Sequence, residues 1–221
     1  MKIKRTLSLL TAVAMLSLNA FSITASAENT PTANNVTNNY VVEINVAAGS
    51  NIANAAITTT YNINMLEFNS ILEGDAIPDA STGWEGYKQY DGLVCCEYYD
   101  TTNAITAQGK IAEIRFNSSY NLDDVTNYFD VTYSYLKLTD GTNVSESYAS
   151  VNCYLMGDVN LDGEVTSIDA NLVTAHALNN IEPLTGNALL AADVNYDGVV
   201  DSIDATMVTR FSVGTLTSFW P

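Results

Sequence analysis

From Tyr40 to Tyr154 the apolar residues come in short runs rich in β-branched and aromatic side chains, separated by turn-forming residues. The runs are Tyr40–Val46, Ala55–Tyr61, Leu93–Tyr99, Lys110–Phe116, Phe129–Leu138 and Glu146–Leu155. Strands of this length and spacing predict an antiparallel sandwich. Between Phe129 and Leu136 the odd positions are apolar or aromatic and the even ones mostly polar, the pattern of a half-buried strand. Asp140-Gly141 supplies the turn after it. Lys110–Phe116 breaks the alternation, because Ile111 and Ile114 stand an odd number of residues apart. A bulge or a fully buried stretch is required there.

Past Leu155 the period changes. Ile168, Leu172, Val173 and Leu178, and then Ile203, Met207, Val208 and Phe211, recur at helical spacing. Each set follows one copy of a duplicated segment. Asp158-Val-Asn160-Leu-Asp162-Gly163-Glu-Val-Thr166-Ser-Ile-Asp169 returns 35 residues later as Asp193-Val-Asn195-Tyr-Asp197-Gly198-Val-Val-Asp201-Ser-Ile-Asp204, and 12 of 21 positions agree between Asp158–Leu178 and Asp193–Val213.

The spacing carries a specific chemistry. Calcium takes six to eight hard oxygen ligands, and a 12-residue loop delivers them from positions 1, 3, 5, 7 through its carbonyl, 9 often through water, and 12. The first loop offers Asp158, Asn160, Asp162, the Glu164 carbonyl, Thr166 and Asp169; the second offers Asp193, Asn195, Asp197, the Val199 carbonyl, Asp201 and Asp204. Gly163 and Gly198 stand at position 6, where the chain turns sharply. Two Ca²⁺ ions are therefore expected, with the second loop binding more tightly because Asp201 replaces Thr166 and adds a carboxylate. Magnesium is disfavoured, since it keeps several of its waters whereas these loops supply nearly a whole shell.

Charge narrows the partners. The chain holds 8 Lys and Arg against 25 Asp and Glu, a net of −17. Nucleic acid is excluded on that ground, because phosphate backbones are bound through cationic side chains. Lys2, Lys4 and Arg5, the apolar stretch Leu7–Phe21 and the small residues Ala25-Ser26-Ala27 read as a secretory signal peptide over residues 1–27. Its apolar run is short for a membrane span. Glu28–Asn39, rich in Asn and Thr, reads as a solvated linker. The expected order is then a sandwich over 40–155 and a calcium module over 156–221.

Position 12 is Asp in both loops, and Ser150–Gly157 reads as strand and turn instead of an entering helix. With those departures from a paired-helix EF-hand, the duplicated segment resembles a type I dockerin, the calcium module of cellulosome-type assemblies, from about Gly157 to Gly214. The resemblance implies a small all-α module with two EF-hand-like loops that docks onto the cohesin of a scaffoldin. It implies that loop positions 10 and 11 and the following helix meet that partner: Ser167, Ile168, Thr174 and Ala175 in one copy, Ser202, Ile203, Thr209 and Arg210 in the other. It also implies a C-terminal clasp in which Phe219-Trp220-Pro221 folds back onto Tyr154 or Leu155, with a frayed tail as the alternative. A module of about 60 residues buries little surface, so calcium is expected to supply much of its folding free energy.

The upstream region in turn resembles a cohesin, through Tyr61–Phe68 and through Thr106–Phe116 with its Gly109-led strand ending in Phe116. Carbohydrate-binding modules share this jelly-roll-like sandwich, so two uses of the region stand side by side: capture of an enzyme-borne dockerin, or contact with a polysaccharide. Trp84, Tyr87, Tyr90, Tyr98 and Tyr99 suit core, protein interface or sugar stacking. No spacing singles out the carboxylate pair that a glycosidase needs, and the one histidine, His176, lies on the first helix where its duplicate has Phe211. The sequence thus predicts a secreted, extracellular, non-catalytic adaptor of a cell-surface-associated polysaccharide-degrading complex.

Overall fold

Alternation sorts the strands into layers. In β1 (Ala33–Val46) Tyr40, Val42, Ile44 and Val46 enter one apolar core, while Val41 and Glu43 point the other way. The remaining strands are β2 (Ile52–Tyr61), β3 (Glu67–Glu73), β4 (Trp84–Tyr90), β5 (Leu93–Tyr99), β6 (Gly109–Tyr120), β7 (Phe129–Leu138) and β8 (Ala149–Leu155), with a 3-10 turn at Val125–Tyr128. They form two four-stranded antiparallel sheets, ordered β3-β6-β1-β8 and β4-β5-β2-β7. The computed structural model describes residues 33–143 and 148–220, which fall within one compact unit.

Phe116 fills the centre of the sandwich. Its ring lies 4.8 Å from both Tyr61 and Phe129 and 6.1 Å from Phe68. The odd step in β6 is met in both expected ways: Ile111, Ala112, Glu113 and Ile114 are all buried, and pairing jumps from Ile44↔Ala112 to Asn45↔Lys110. Ile111 is the extra residue of that bulge, and it turns into the core beside Ala112 and Ile114.

The chain ends in α1 (Ser167–Ala177), α2 (Gly186–Ala192) and α3 (Ser202–Ser212). They cover the outer face of β3-β6-β1-β8, where Val41, Tyr154 and Met156 pack with Ala170, Ala191, Val194, Val208 and Trp220. A smaller cluster of Val159, Val173, Ala192 and Ala205 joins the helices to one another. The fold is thus a two-sheet sandwich with a helical third layer.

Several expectations change. Residues 33–39 are strand, not linker: β1 pairs with β6 from Ala33↔Tyr120, and Asn38 and Asn39 are buried. Their polarity has a use, since the Asn38 amide donates to the Tyr120 carbonyl and to Asn121 Oδ1. The helical apolar stripes split as well. Val173, Val208 and Phe211 are buried, but Ile168, Leu178 and Ile203 are exposed, because the inward faces run through the small residues Ala170 and Ala205. The expected leader at 1–27 lies outside the described residues. No described helix is long and apolar enough to cross a membrane.

Candidate metal centre and docking face

Both loops fold around their own carboxylates. Asp158 accepts from the Asp162 and Gly163 amides (3.1 and 2.9 Å), and Asp162 accepts from the Glu164 amide (3.0 Å). Asp169 closes the loop by accepting from the amides of Val159, Asn160 and Thr166 at 2.8–3.0 Å. The second loop repeats this with Asp193 on Asp197 and Gly198, Asp197 on Val199, and Asp204 on Asn195 and Asp201. Gly163 and Gly198 take φ of 90° and 84°, a left-handed turn that favours glycine. Leu161 and Tyr196, at position 4, also have positive φ.

Positions 9 and 12 serve the helices too. Thr166 and Asp201 are the N-caps of α1 and α3, and Asp169 and Asp204 return the bond from the third helical position, a complete capping box in each copy. One set of side chains therefore closes the loop and starts the helix.

The donor set fits a hard divalent cation. It is oxygen throughout, and no salt-bridging Lys or Arg lies among the loop carboxylates of the described residues. Burial pushes Asp158 up to about 6, with the charges of Asp169 and Asp162 adding to the rise, while Asp193 and Asp204 are raised chiefly by burial. Negative charge is thus gathered and partly desolvated. Among the described residues no three carboxylate, thiol or imidazole side chains alone form a metal cluster. The amide and hydroxyl oxygens of Asn160, Asn195 and Thr166 and the carbonyls of Glu164 and Val199 are needed to fill a shell.

The expected docking residues lie on the open side of the helical layer. Ser167, Ile168, Thr174, Ser202, Ile203, Thr209 and Arg210 are exposed, and Ala175 is half-buried. Ile168 and Ile203 remain 56% and 54% accessible, a matched pair on the two copies. His176 has a local role, its Nδ1 accepting from the Leu184 amide at 3.2 Å.

On the other side of the module the expected C-terminal clasp forms beside Tyr154, while sequence reasoning missed the contacts of Arg115 and the hydrogen bonds that fasten the clasp. Arg115 on β6 lies 4.3 Å over the Tyr196 ring and 5.2 Å over Trp220. Its Nε also donates to Glu113 at 2.7 Å, beside a buried network in which Lys110 bridges Glu43 and Glu113 and the Tyr154 hydroxyl donates to Glu43. The C-terminal segment is tied to the sandwich at four points. The Thr37 amide donates to the Thr217 carbonyl (2.8 Å), the Phe219 amide to Asn39 Oδ1 (2.8 Å), Ser218 Oγ to Asn39 Oδ1 (3.2 Å), and Trp220 Nε1 to Asn117 Oδ1 (2.9 Å). Trp220 packs in the same cluster as Tyr154, and Phe219 turns to Phe211. The one local hint was Tyr196 itself, an aromatic where the first loop has Leu161.

The aromatic cluster of the sandwich divides by sheet face, with a register shift between Lys88 and Tyr90 taking Tyr90 out of step with Trp84. Trp84 and Tyr98 join the core, whereas Tyr90 and Tyr99 are 61% and 69% exposed and Tyr87 bonds Glu97 on the outer side. The three cysteines are free thiols. Burial pushes Cys96 and Cys153 up to about 12.

A family model described as Dockerin type I domain matches residues 156–211. No curated protein matches the chain. Among solved structures, it is similar to the sixth cohesin of scaffoldin B from Acetivibrio cellulolyticus, solved in complex with a mutant dockerin, at 20% identity over 51% of this chain and 84% of that one, with a TM-score of 0.41. A type I cohesin from Pseudobacteroides cellulosolvens follows at 22% identity over 48% and 74%, with a TM-score of 0.37. A non-cellulosomal cohesin from Archaeoglobus fulgidus gives 15% identity over 52% and 75%, with a TM-score of 0.39.

Proposed function

We propose that this chain is a secreted, extracellular, non-catalytic adaptor of a cellulosome-type complex. Its C-terminal module holds two calcium ions, one in each loop, and docks onto the cohesin of a scaffoldin through Ser167, Ile168, Ser202 and Ile203 with the helix positions beyond them. The sandwich captures an enzyme-borne dockerin, bringing a polysaccharide-degrading activity to the scaffold. The observation that carries this reading is the division of the helical layer: one side is fastened to the sandwich, and the side bearing the duplicated Ser-Ile pairs is open.

The non-catalytic part is supported by the sequence, in which no spacing singles out the pair of carboxylates that glycoside hydrolysis calls for. A panel of cohesins and dockerins, titrated against the intact chain with calcium and with EGTA, tests the proposal. Cohesin binding that needs calcium and is lost in an Ile168→Asp, Ile203→Asp double variant is expected; calcium-independent binding, or none across the host's own panel, overturns it.

A second reading makes the sandwich a glycan binder that brings the complex to its substrate. Tyr90, Tyr99 and the 42%-exposed Tyr135 favour it, since sugar rings stack on accessible aromatic faces. Retardation in gels containing soluble polysaccharide, abolished by Tyr99→Ala, separates it from dockerin capture.

A further inference from the structure

The two calcium loops are near copies, yet the sandwich treats them differently. At position 4 the first loop shows Leu161 to solvent, 53% exposed, while the second carries Tyr196 beneath the Arg115 guanidinium. Tyr196 also lies 6.5 Å from Trp220, so Arg115 closes over two rings that come from the second loop and the C-terminal segment. At position 6 the asymmetry reverses: a Cβ on Gly163 would stand 3.1 Å from the Leu122 carbonyl, and Gly198 has open space.

Tyr196 lies between two residues of the expected ligand set, Asn195 and Asp197, and holds φ of 60°, as Leu161 does in the first loop at 61°, so the turn sets this conformation in both copies. The Asp197 amide next to it reaches Asp193 and Asn195. An anchor on the Tyr196 ring therefore restrains the second loop between its ligands. That anchor is Arg115, itself held by Glu113, and a cation over two aromatic faces is favourable where water is excluded.

We propose that the sandwich is an intramolecular partner of the second calcium loop: Arg115, Tyr196 and Trp220 form a latch through which calcium at Asp193–Asp204 and the seating of the C-terminal segment on β1 strengthen each other. The first loop lacks an aromatic at position 4 and meets the sandwich instead through Gly163 beside the Leu122 carbonyl and Glu164 beside Asn121, so it lies outside the Arg115 latch. Linkage makes the effect reciprocal, so calcium at the second loop tightens the segment by the factor by which the latch tightens calcium, here about tenfold. The inference rests on the loops holding calcium and adds which loop the sandwich controls.

Hydrogen exchange and calorimetry on the full chain test it. The reporters are the Thr37 and Phe219 amides, which bond across the seam. At saturating calcium, Asp193→Ala is expected to lose their protection while Asp158→Ala keeps it. Tyr196→Leu, which copies the first loop and leaves every ligand in place, is expected to weaken the second site about tenfold and release both amides; Arg115→Lys, which keeps the charge without the flat fork, is expected to follow it. Equal loss in Asp193→Ala and Asp158→Ala, or unaltered affinity in Tyr196→Leu, overturns the latch alone. Absence of calcium uptake by the intact chain overturns the calcium reading and the latch with it.

Discussion

Phe219 stacks on Phe211 with ring centroids 4.5 Å apart and planes 15° from parallel, which closes the helical layer over Gly157. Gly157 has φ of 87°, and a Cβ there would come within 2.8 Å of the Phe219 ring. Gly157→Ala is therefore expected to destabilise the module by about 1–3 kcal/mol. Urea unfolding in calcium measures it. In a Phe219→Ala background the same change is expected to cost less, because the left-handed strain and the approach to Val165 are what remain.

Removing calcium should act on the helical layer before the sandwich. The loop carboxylates repel one another without a cation, and a ligand at a hundred times its dissociation constant contributes about 2.7 kcal/mol. With EGTA the far-UV helical signal is expected to fall while the sheet signal persists. Coincident loss of both at one denaturant midpoint would show instead that the layers unfold together.

The second loop is expected to be the tighter site, since Asp201 adds a carboxylate where the first has Thr166. Thr166→Asp keeps an N-cap oxygen for α1 and should bring the first site toward the second. Isothermal titration of that variant decides the point. If the stronger step disappears in Asp158→Ala instead of Asp193→Ala, the charge argument fails.

Acid should loosen the turn after β5. Asp100 accepts from the Asn103 side chain and amide, from Ser81 and from the Thr102 amide, and these bonds hold its carboxyl down at about 2 against an ordinary 3.8. A depressed carboxylate favours the fold above its unfolded pKa and loses that effect as pH falls through the folded value. This contribution is thus intact above about pH 4 and gone near 2. A pH series of melting temperatures for the wild type and Asp100→Asn should converge across that window.

Core substitution should be severe. Phe116→Ala empties the space between Tyr61, Phe68 and Phe129, and comparable truncations cost about 3–5 kcal/mol. Chemical denaturation should show a shifted midpoint at an unchanged slope.

The fold of the two duplicated loops could be read from the chain because its determinants are local: the spacing of the acidic residues, a glycine at the turn and the cap of the next helix all fall within twelve residues. The six other strands were legible for the same reason. β3 and β4 were not, because neither has a fully buried residue to mark a core-facing side. α2 has seven residues and buries only Ala191 and Ala192, too little for a helical period to register. The start of β1 was obscured by its asparagines, which look like linker until their partners in β6 and the C-terminal segment are known. Arg115 and Tyr196 pair across 81 positions, and nothing near either residue announces the other.

The stacking of three layers has a mechanical consequence. The outer face of β4-β5-β2-β7 and the open side of α1 and α3 form the two ends of a block that is held together inside by the buried seam of Val41, Tyr154, Met156 and Trp220. Binding partners at those ends would be held at a set distance and angle, with their mutual concentration governed by a solid spacer and not by the reach of a flexible tether.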